Sequence, residues 1–269
     1  MAEPSDRLTL RGLRIDHRGR TLVDGVSLDW AVGSVVGLVG SSGSGKTLTC
    51  RALVGMVDLD PGVVAGVLGV HLGPVVHQPQ LGGTRAARDR AFRPLRGAVV
   101  GYLPQDAPAT LDPFARIGAQ VASAARLGRV DADPQRWLID AGFSPSDAAR
   151  VAAGWPHQLS GGMAQRVGIA LALARGSRLL IADEPVTGLD APLQRRVLRE
   201  LRALADRGVG VLLVTHGLRA LIDLADQVVV MDAGRVVETL TPGALRAGIA
   251  ASGPAQRLVA AGIGPRVAR

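Results

Sequence analysis

At 269 residues the chain has room for one large domain or two modest ones; 47% of it is apolar but only 3% aromatic, so its core must be built of Val, Leu, Ala and Ile. No run approaches 18 uninterrupted apolar residues, and there is one cysteine, Cys50, so neither a spanning helix nor an intrachain disulfide is expected. The formal net charge is +8, which alone speaks to contacts with anionic partners and not to fold.

In chain order, the N-terminus reads Met1-Ala2-Glu3-Pro4-Ser5-Asp6-Arg7, without the apolar stretch of a signal peptide, so a cytoplasmic location is expected. Leu8-Thr9-Leu10 and Val26-Ser27-Leu28-Asp29-Trp30 alternate as half-buried strands do, with a turn around Arg18-Gly19-Arg20. Residues 34–39 form an apolar run, and residues 47–57 read as a helix that holds Cys50 as a buried small residue. Residues 58–97 are rich in Gly, Pro and Val and give no clear element. They include the arginine run Arg85, Arg88, Arg90, Arg93 and Arg96. A second run is Arg195, Arg196, Arg199 and Arg202. Each reads either as a nucleic-acid or membrane-surface contact or as a solvated helix face, the second being the simpler. Residues 99–103 make a short strand, and residues 115–153 have helical spacing with breaks near Asp133-Pro134 and Ser144-Pro145. Leu179-Leu180-Ile181-Ala182 and Val211-Leu212-Leu213-Val214 are continuous apolar runs, as parallel strands covered on both faces require. Residues 190–207 between them are helical, residues 227–238 read as a hairpin, and the tail after Thr241 is Ala/Gly-rich and silent.

Three motifs carry chemistry. Gly40-Ser41-Ser42-Gly43-Ser44-Gly45-Lys46-Thr47 is a complete phosphate loop between an apolar strand and a helix. Its glycines let backbone N–H groups converge on an anion, and the helix adds its positive end. Lys46 is the only lysine among 31 basic residues. A compact ammonium suits the β- and γ-phosphates where a planar guanidinium would crowd them, and the Thr47 hydroxyl can serve Mg²⁺. The second motif is an apolar strand that delivers Asp183 and Glu184 to its C-terminal end, where ligands of open α/β sheets sit. Asp183 suits Mg²⁺ and Glu184 suits polarisation of an attacking water. The third is Leu159-Ser160-Gly161-Gly162-Met163-Ala164-Gln165-Arg166. Read locally, Ser160 is a good helix cap and the glycines a turn.

With that third motif the chain resembles the ATP-binding subunits of ABC transporters, whose signature is LSGGQ or a variant. The resemblance covers roughly residues 8–240 and implies an α/β fold: an ABC-type P-loop ATPase with a RecA-like parallel-sheet core, an N-terminal antiparallel β subdomain and a helical insertion. The divisions implied are 1–104, 105–160 for the helical subdomain, 161–245 for the rest of the core, and 246–269 for the tail. It further implies ATP and Mg²⁺ as ligands. The loop residues Gly40, Ser41, Gly43, Ser44, Gly45, Lys46 and Thr47 would bind nucleotide, and Thr47, Gln105 and Asp183 the metal. Gln105 resembles the Q-loop glutamine, Asp190 ends a D-loop-like Thr187-Gly188-Leu189-Asp190, and His216 resembles the switch histidine, catalytic together with Glu184. Ser160, Gly161 and Gly162 would contact the γ-phosphate held by an opposite subunit, so a homo- or heterodimer is implied.

Finer resemblance goes to peptide and nickel importers, in Gln105-Asp106-Ala107-Pro108-Ala109-Thr110-Leu111-Asp112-Pro113 and Trp155-Pro156-His157-Gln158-Leu159-Ser160-Gly161-Gly162-Met163. Thr47-Leu48-Thr49-Cys50 looks like the nickel-importing ATPase in particular. The implied partners are transmembrane permease subunits and, indirectly, a solute-binding protein, with the chain peripheral on the cytoplasmic face of the membrane. Nucleic acid is not expected. An ABC ATPase acting on nucleic acid or serving an exporter is the alternative. The sequence departs from the family in four ways, the first being Gly188 where many members have Ala. His17 stands where an adenine-stacking aromatic is usual, Gly217 replaces the acid after the switch histidine, and the peptide-type C-terminal stretch is missing.

Overall fold

The computed structural model describes residues 6–73 and 75–262. Met1 to Ser5, read above for a targeting signal, lie outside them, as does the end of the tail. In order the elements are β1 (Arg7–His17), β2 (Arg20–Ala31), β3 (Val35–Gly40), α1 (Lys46–Leu53), β4 (Pro61–Leu72), β5 (Val75–His77) and α2 (Arg85–Phe92). Then come β6 (Val100–Leu103), α3 (Ile117–Gly128), α4 (Pro134–Asp140), α5 (Pro145–Ala153), α6 (Gly161–Ala174), β7 (Leu179–Asp183) and α7 (Ala191–Asp206). The chain continues with β8 (Gly210–Val214), α8 (Leu218–Ile222), β9 (Gln227–Asp232), β10 (Arg235–Leu240), α9 (Pro242–Arg246) and α10 (Gly253–Gly262).

Two sheets result. The first is antiparallel, in the order β2-β1-β4-β5, and the second runs β10-β9-β3-β8-β7-β6. In the second sheet β3 pairs parallel with β8 and β9, and β7 with β8 and β6, while β10 closes one edge antiparallel. The alternate residues of its strands serve two cores. Val35, Val39, Leu180, Ala182, Val211 and Leu213 face the helical side, and Val36, Leu38, Leu179, Ile181, Leu212 and Val214 face the β subdomain. This is why the strands read as unbroken apolar runs.

Several elements differ from the sequence expectation for physical reasons. β1 extends well past Leu10 because a register shift between Leu10 and Leu13 resets its alternation. Leu8, Leu10, Leu13 and Ile15 all end up fully buried. β4 was invisible because its inward residues do not alternate; only pairing with β1 decides which face is covered. The prolines read as breaks, Pro134 and Pro145, start α4 and α5 behind the caps Asp133 and Ser144. The silent tail forms α9 and α10, which bury Leu245, Ala255 and Val259 in the core.

The first arginine run divides: Arg85, Arg90 and Arg93 are exposed, as on a solvated face, whereas Arg88 and Arg96 are drawn inward. Arg88 is 8% exposed and donates to the Gly83 carbonyl. Arg96 donates to the Val54 and Gly55 carbonyls and pairs with Asp89, binding α2 to the end of α1. In the second run Arg196 donates to the Gly142 carbonyl, beside Arg166, which also covers the Phe143 ring at 4.1 Å. Arg202 pairs with Asp206 and Asp226. Among the described residues no helix is long and apolar enough to cross a membrane.

Candidate active site

The site forms at the C-terminal ends of β3, β7 and β8, the strands that carry the phosphate loop, the acid pair and His216. They border one cleft of about 340 Å³, lined by residues 42–48 together with Leu22, Gln105, Glu184 and His216.

The loop leaves β3 and enters α1 through Gly45, whose φ of 95° is closed to most side chains. No side chain caps α1, so its first N–H groups remain available to an anion. Lys46, 5% exposed, donates to the carbonyls of Gly40 and Ser41 at 2.9 Å each, and more weakly to Ser44 Oγ at 3.4 Å. Burial lowers the pKa of its ammonium, and the charges of Glu184 and Asp183 oppose that shift. Ser41 also donates to Asp232 at 3.2 Å, tying the loop to the β9–β10 hairpin.

Asp183 is 1% exposed. One oxygen accepts from Thr47 at 3.4 Å and the other from the Tyr102 hydroxyl at 3.0 Å. Burial raises its pKa, while Tyr102 and Thr47 pull it back. Burial, and then the Asp183 charge, push the Tyr102 phenol above its ordinary range. Cys50 behind it is fully buried, and its thiol is raised well above the usual value by desolvation, so it is inert. Glu184 continues the β7–β8 ladder with its N–H on the Val214 carbonyl, yet has a φ of 51°, a left-handed geometry rare outside glycine. That turn carries its carboxylate to two partners: Thr187 Oγ1 at 3.2 Å, and His216 Nε2, 2.5 Å from Oε1. Half-exposed His216 thus reaches over a nearly buried carboxylate.

The remaining expected residues divide. Gln105 lines the cleft, and its carbonyl accepts from the buried Gln165. Ser160, Gly161 and Gly162 do not line it. Ser160 caps α6 by accepting from Met163 N, which is the local reading of that motif, and it is exposed with Gly161. A Cβ at Gly162 would force the Leu193 side chain to shift. Asp190 is the cap of α7, accepting from Leu193 N at 2.8 Å. His17 does not line the cleft; its Nδ1 is bonded to the Asp60 carbonyl at 3.0 Å. Sequence reasoning missed Leu22, Asp232 and Tyr102. The last had a signal, being the only tyrosine in the chain and three residues before Gln105.

A glycine loop at a strand–helix junction, with two strand-end carboxylates facing it across a parallel sheet, defines the class of P-loop nucleoside triphosphatases. Comparison with known proteins narrows this. The family model described as ABC transporter matches residues 23–187. A peptide import ATP-binding protein of Brucella ovis is 36% identical over 245 residues, covering 86% of this chain and 70% of that one. The dipeptide transport ATP-binding protein DppD of Escherichia coli is 36% identical over 225 residues, covering 81% and 65%. Among solved structures, cbiO1 of Clostridium perfringens, part of the transporter complex cbiONQ, superposes with a TM-score of 0.73 at 22% identity, over 91% of this chain and 92% of that one. The chain belongs to the ABC transporter family, as an ATP-binding subunit that hydrolyses ATP.

Proposed function

We propose that the chain is the ATPase of a bacterial peptide importer, working as one half of a dimer on the cytoplasmic face of the membrane. The observation that carries this is a division of parts. Lys46, Glu184 and His216 line one cleft, with Asp183 bonded to its Thr47, while the Ser160-Gly161 helix start stands exposed away from it. Each cleft therefore takes its second wall from another ATPase chain, identical or different. The names of the relatives favour peptides over nickel as the solute class.

Mg²⁺ fits the acid side of the cleft. A buried carboxylate and a hydroxyl stand 3.4 Å apart there. This is the donor set of an ion that takes its other oxygens from phosphates and water. Thr47, Asp183 and Gln105 would hold it, and when bound it would offset the charge of the β- and γ-phosphates. The chain's own residues do the rest. Lys46 exchanges the Gly40 and Ser41 carbonyls for phosphate oxygens, and the α1 N-terminus receives the same anion. Glu184 accepts a proton from water as its oxygen attacks the γ-phosphorus and the bond to the bridging oxygen breaks. His216 and Thr187 fix the direction in which that carboxylate points. Ser160, Gly161 and Gly162 of one chain close on the γ-phosphate of the other, as a capped helix start can, and His17 remains the candidate neighbour of the adenine. A groove of about 460 Å³ between α3 and α6, lined by Asp112, Gln120, Ser123, Leu127 and Arg175, suits a permease segment. Phe114 beside it in sequence is 88% exposed. A solute-binding protein would act through the permease.

Glu184→Gln tests the reading. ATP affinity measured by calorimetry is expected to be unchanged, and turnover to fall by roughly 10²–10⁴-fold. Turnover at the wild-type rate would remove Glu184 from the chemistry.

A further inference from the structure

Tyr102 lies on β6, whose parallel register sets it opposite Ile181, two residues before Asp183 on β7. Its ring is half-buried against the β-subdomain core, and it does not line the nucleotide cleft. Its hydroxyl nevertheless donates to Asp183 Oδ2 at 3.0 Å, while Oδ1 faces Thr47 at 3.4 Å. Asp183 is 1% exposed, so water has little access to replace either partner. An ionised carboxylate buried with one oxygen unpartnered is costly. A carboxylate free to rotate would also divide its two oxygens between inward and outward positions.

We infer that Tyr102 is a positioning residue for the metal: by occupying Oδ2 it turns Oδ1 toward Thr47 and sets how tightly this pair takes a divalent cation with nucleotide. The inference rests on Asp183 and Thr47 being the metal-binding pair. Tyr102 touches neither nucleotide nor metal; it acts on the outer oxygen of a ligand. Outer partners of this kind are worth about 10–100-fold in metal affinity. Nothing else among the described residues donates to Oδ2.

The test measures the Mg²⁺ concentration at half-maximal binding of a fluorescent ATP analogue to the full chain, with a parallel titration in EDTA. Tyr102→Phe keeps the ring and removes the hydroxyl. It is expected to raise the Mg²⁺ half-point about 10-fold, to lower the apo unfolding midpoint because Oδ2 of the buried carboxylate loses its partner, and to leave metal-free nucleotide affinity unchanged. Tyr102→Leu, which also removes the ring, is expected to shift the half-point at least as far. A Phe variant with the wild-type half-point overturns the inference, as does one whose metal-free affinity falls by the same factor. A Leu variant that shifts while Phe does not assigns the effect to ring packing and overturns it too. Asp183→Asn separates the two levels. If it shifts the half-point and Tyr102→Phe does not, only the role of Tyr102 falls. If it leaves the half-point unchanged, the metal reading of Asp183 falls, and the inference with it.

Discussion

Lys46 is held by acceptors grouped around a point: two carbonyls at 2.9 Å and a hydroxyl at 3.4 Å. An ammonium can turn among them and then turn to phosphate, whereas a guanidinium presents a flat fork of donors. Lys46→Arg keeps the charge and suits the arginine habit of the chain, yet it is expected to weaken ATP binding by about 1.5–3 kcal/mol, the worth of a charged hydrogen bond. Wild-type affinity by calorimetry would refute that. Asp183 gives a prediction of opposite sign for stability. Its pKa is raised in the fold, chiefly by burial. The protonated form is therefore favoured, so its stabilising contribution is full below the ordinary carboxylate pKa and is lost as pH rises through the raised value. At neutral pH the ionised Asp183 costs stability in the nucleotide-free chain. Asp183→Asn should raise the apo unfolding temperature at pH 7, and the gain should disappear when wild type and variant are compared in acid. An unchanged or lower midpoint at pH 7 would refute it. At this scale the motif residues were legible because short-range spacing defines them. Tyr102 was not, because its partner lies on another strand and is chosen by sheet register.

Helix α6 shows how one element can hold a local and a distant role at once. Ser160 caps it through Met163 N, and the same start is proposed to meet a nucleotide in the opposing chain. The two roles come apart by substitution. Aspartate caps as well as serine does, so Ser160→Asp should keep the unfolding temperature while abolishing ATPase activity by setting a carboxylate against the γ-phosphate. Ser160→Ala should cost about 1 kcal/mol in stability, the usual worth of a cap, with activity falling as well. An active Ser160→Asp protein would leave the cap as the whole role. Legibility at the element scale followed continuity. The core strands were read nearly residue for residue, since both their faces are covered and every position is apolar. β4 was not read, because its pattern of cover is imposed by β1 and by the loops packed on it. Pro134 and Pro145 were read as interruptions when they are beginnings, the missing N–H being harmless in a first helical turn.

Across the whole molecule the six-stranded sheet is the shared wall of two cores. Leu213, fully buried on the helical side, and Leu212, fully buried on the β-subdomain side, are neighbours serving different compartments. Alanine at either is expected to cost about 2–5 kcal/mol, measured by denaturant unfolding, and the two costs should not add simply, since adjacent sites couple. The arginines bear on this scale as well. Their runs read most simply as solvated helix faces, but Arg96, Arg166 and Arg196 are bound to backbone carbonyls of other elements. That use cannot be seen in the sequence, where an arginine stapling two helices looks like any other.

In the single chain His216 already rests 2.5 Å from the Glu184 carboxylate, and Glu184 already carries its unusual backbone turn. Every group that would handle water is thus in place before a second chain arrives. On the proposed reading, what the encounter adds is enclosure. Fuel leakage in a solitary chain is then restrained by an unwalled chamber and not by a missing part. Idle consumption by the isolated protein should climb with the square of its concentration and fade on dilution. Attachment to a membrane assembly, by holding two chains within reach of each other, would replace that dependence on crowding with a fixed local supply.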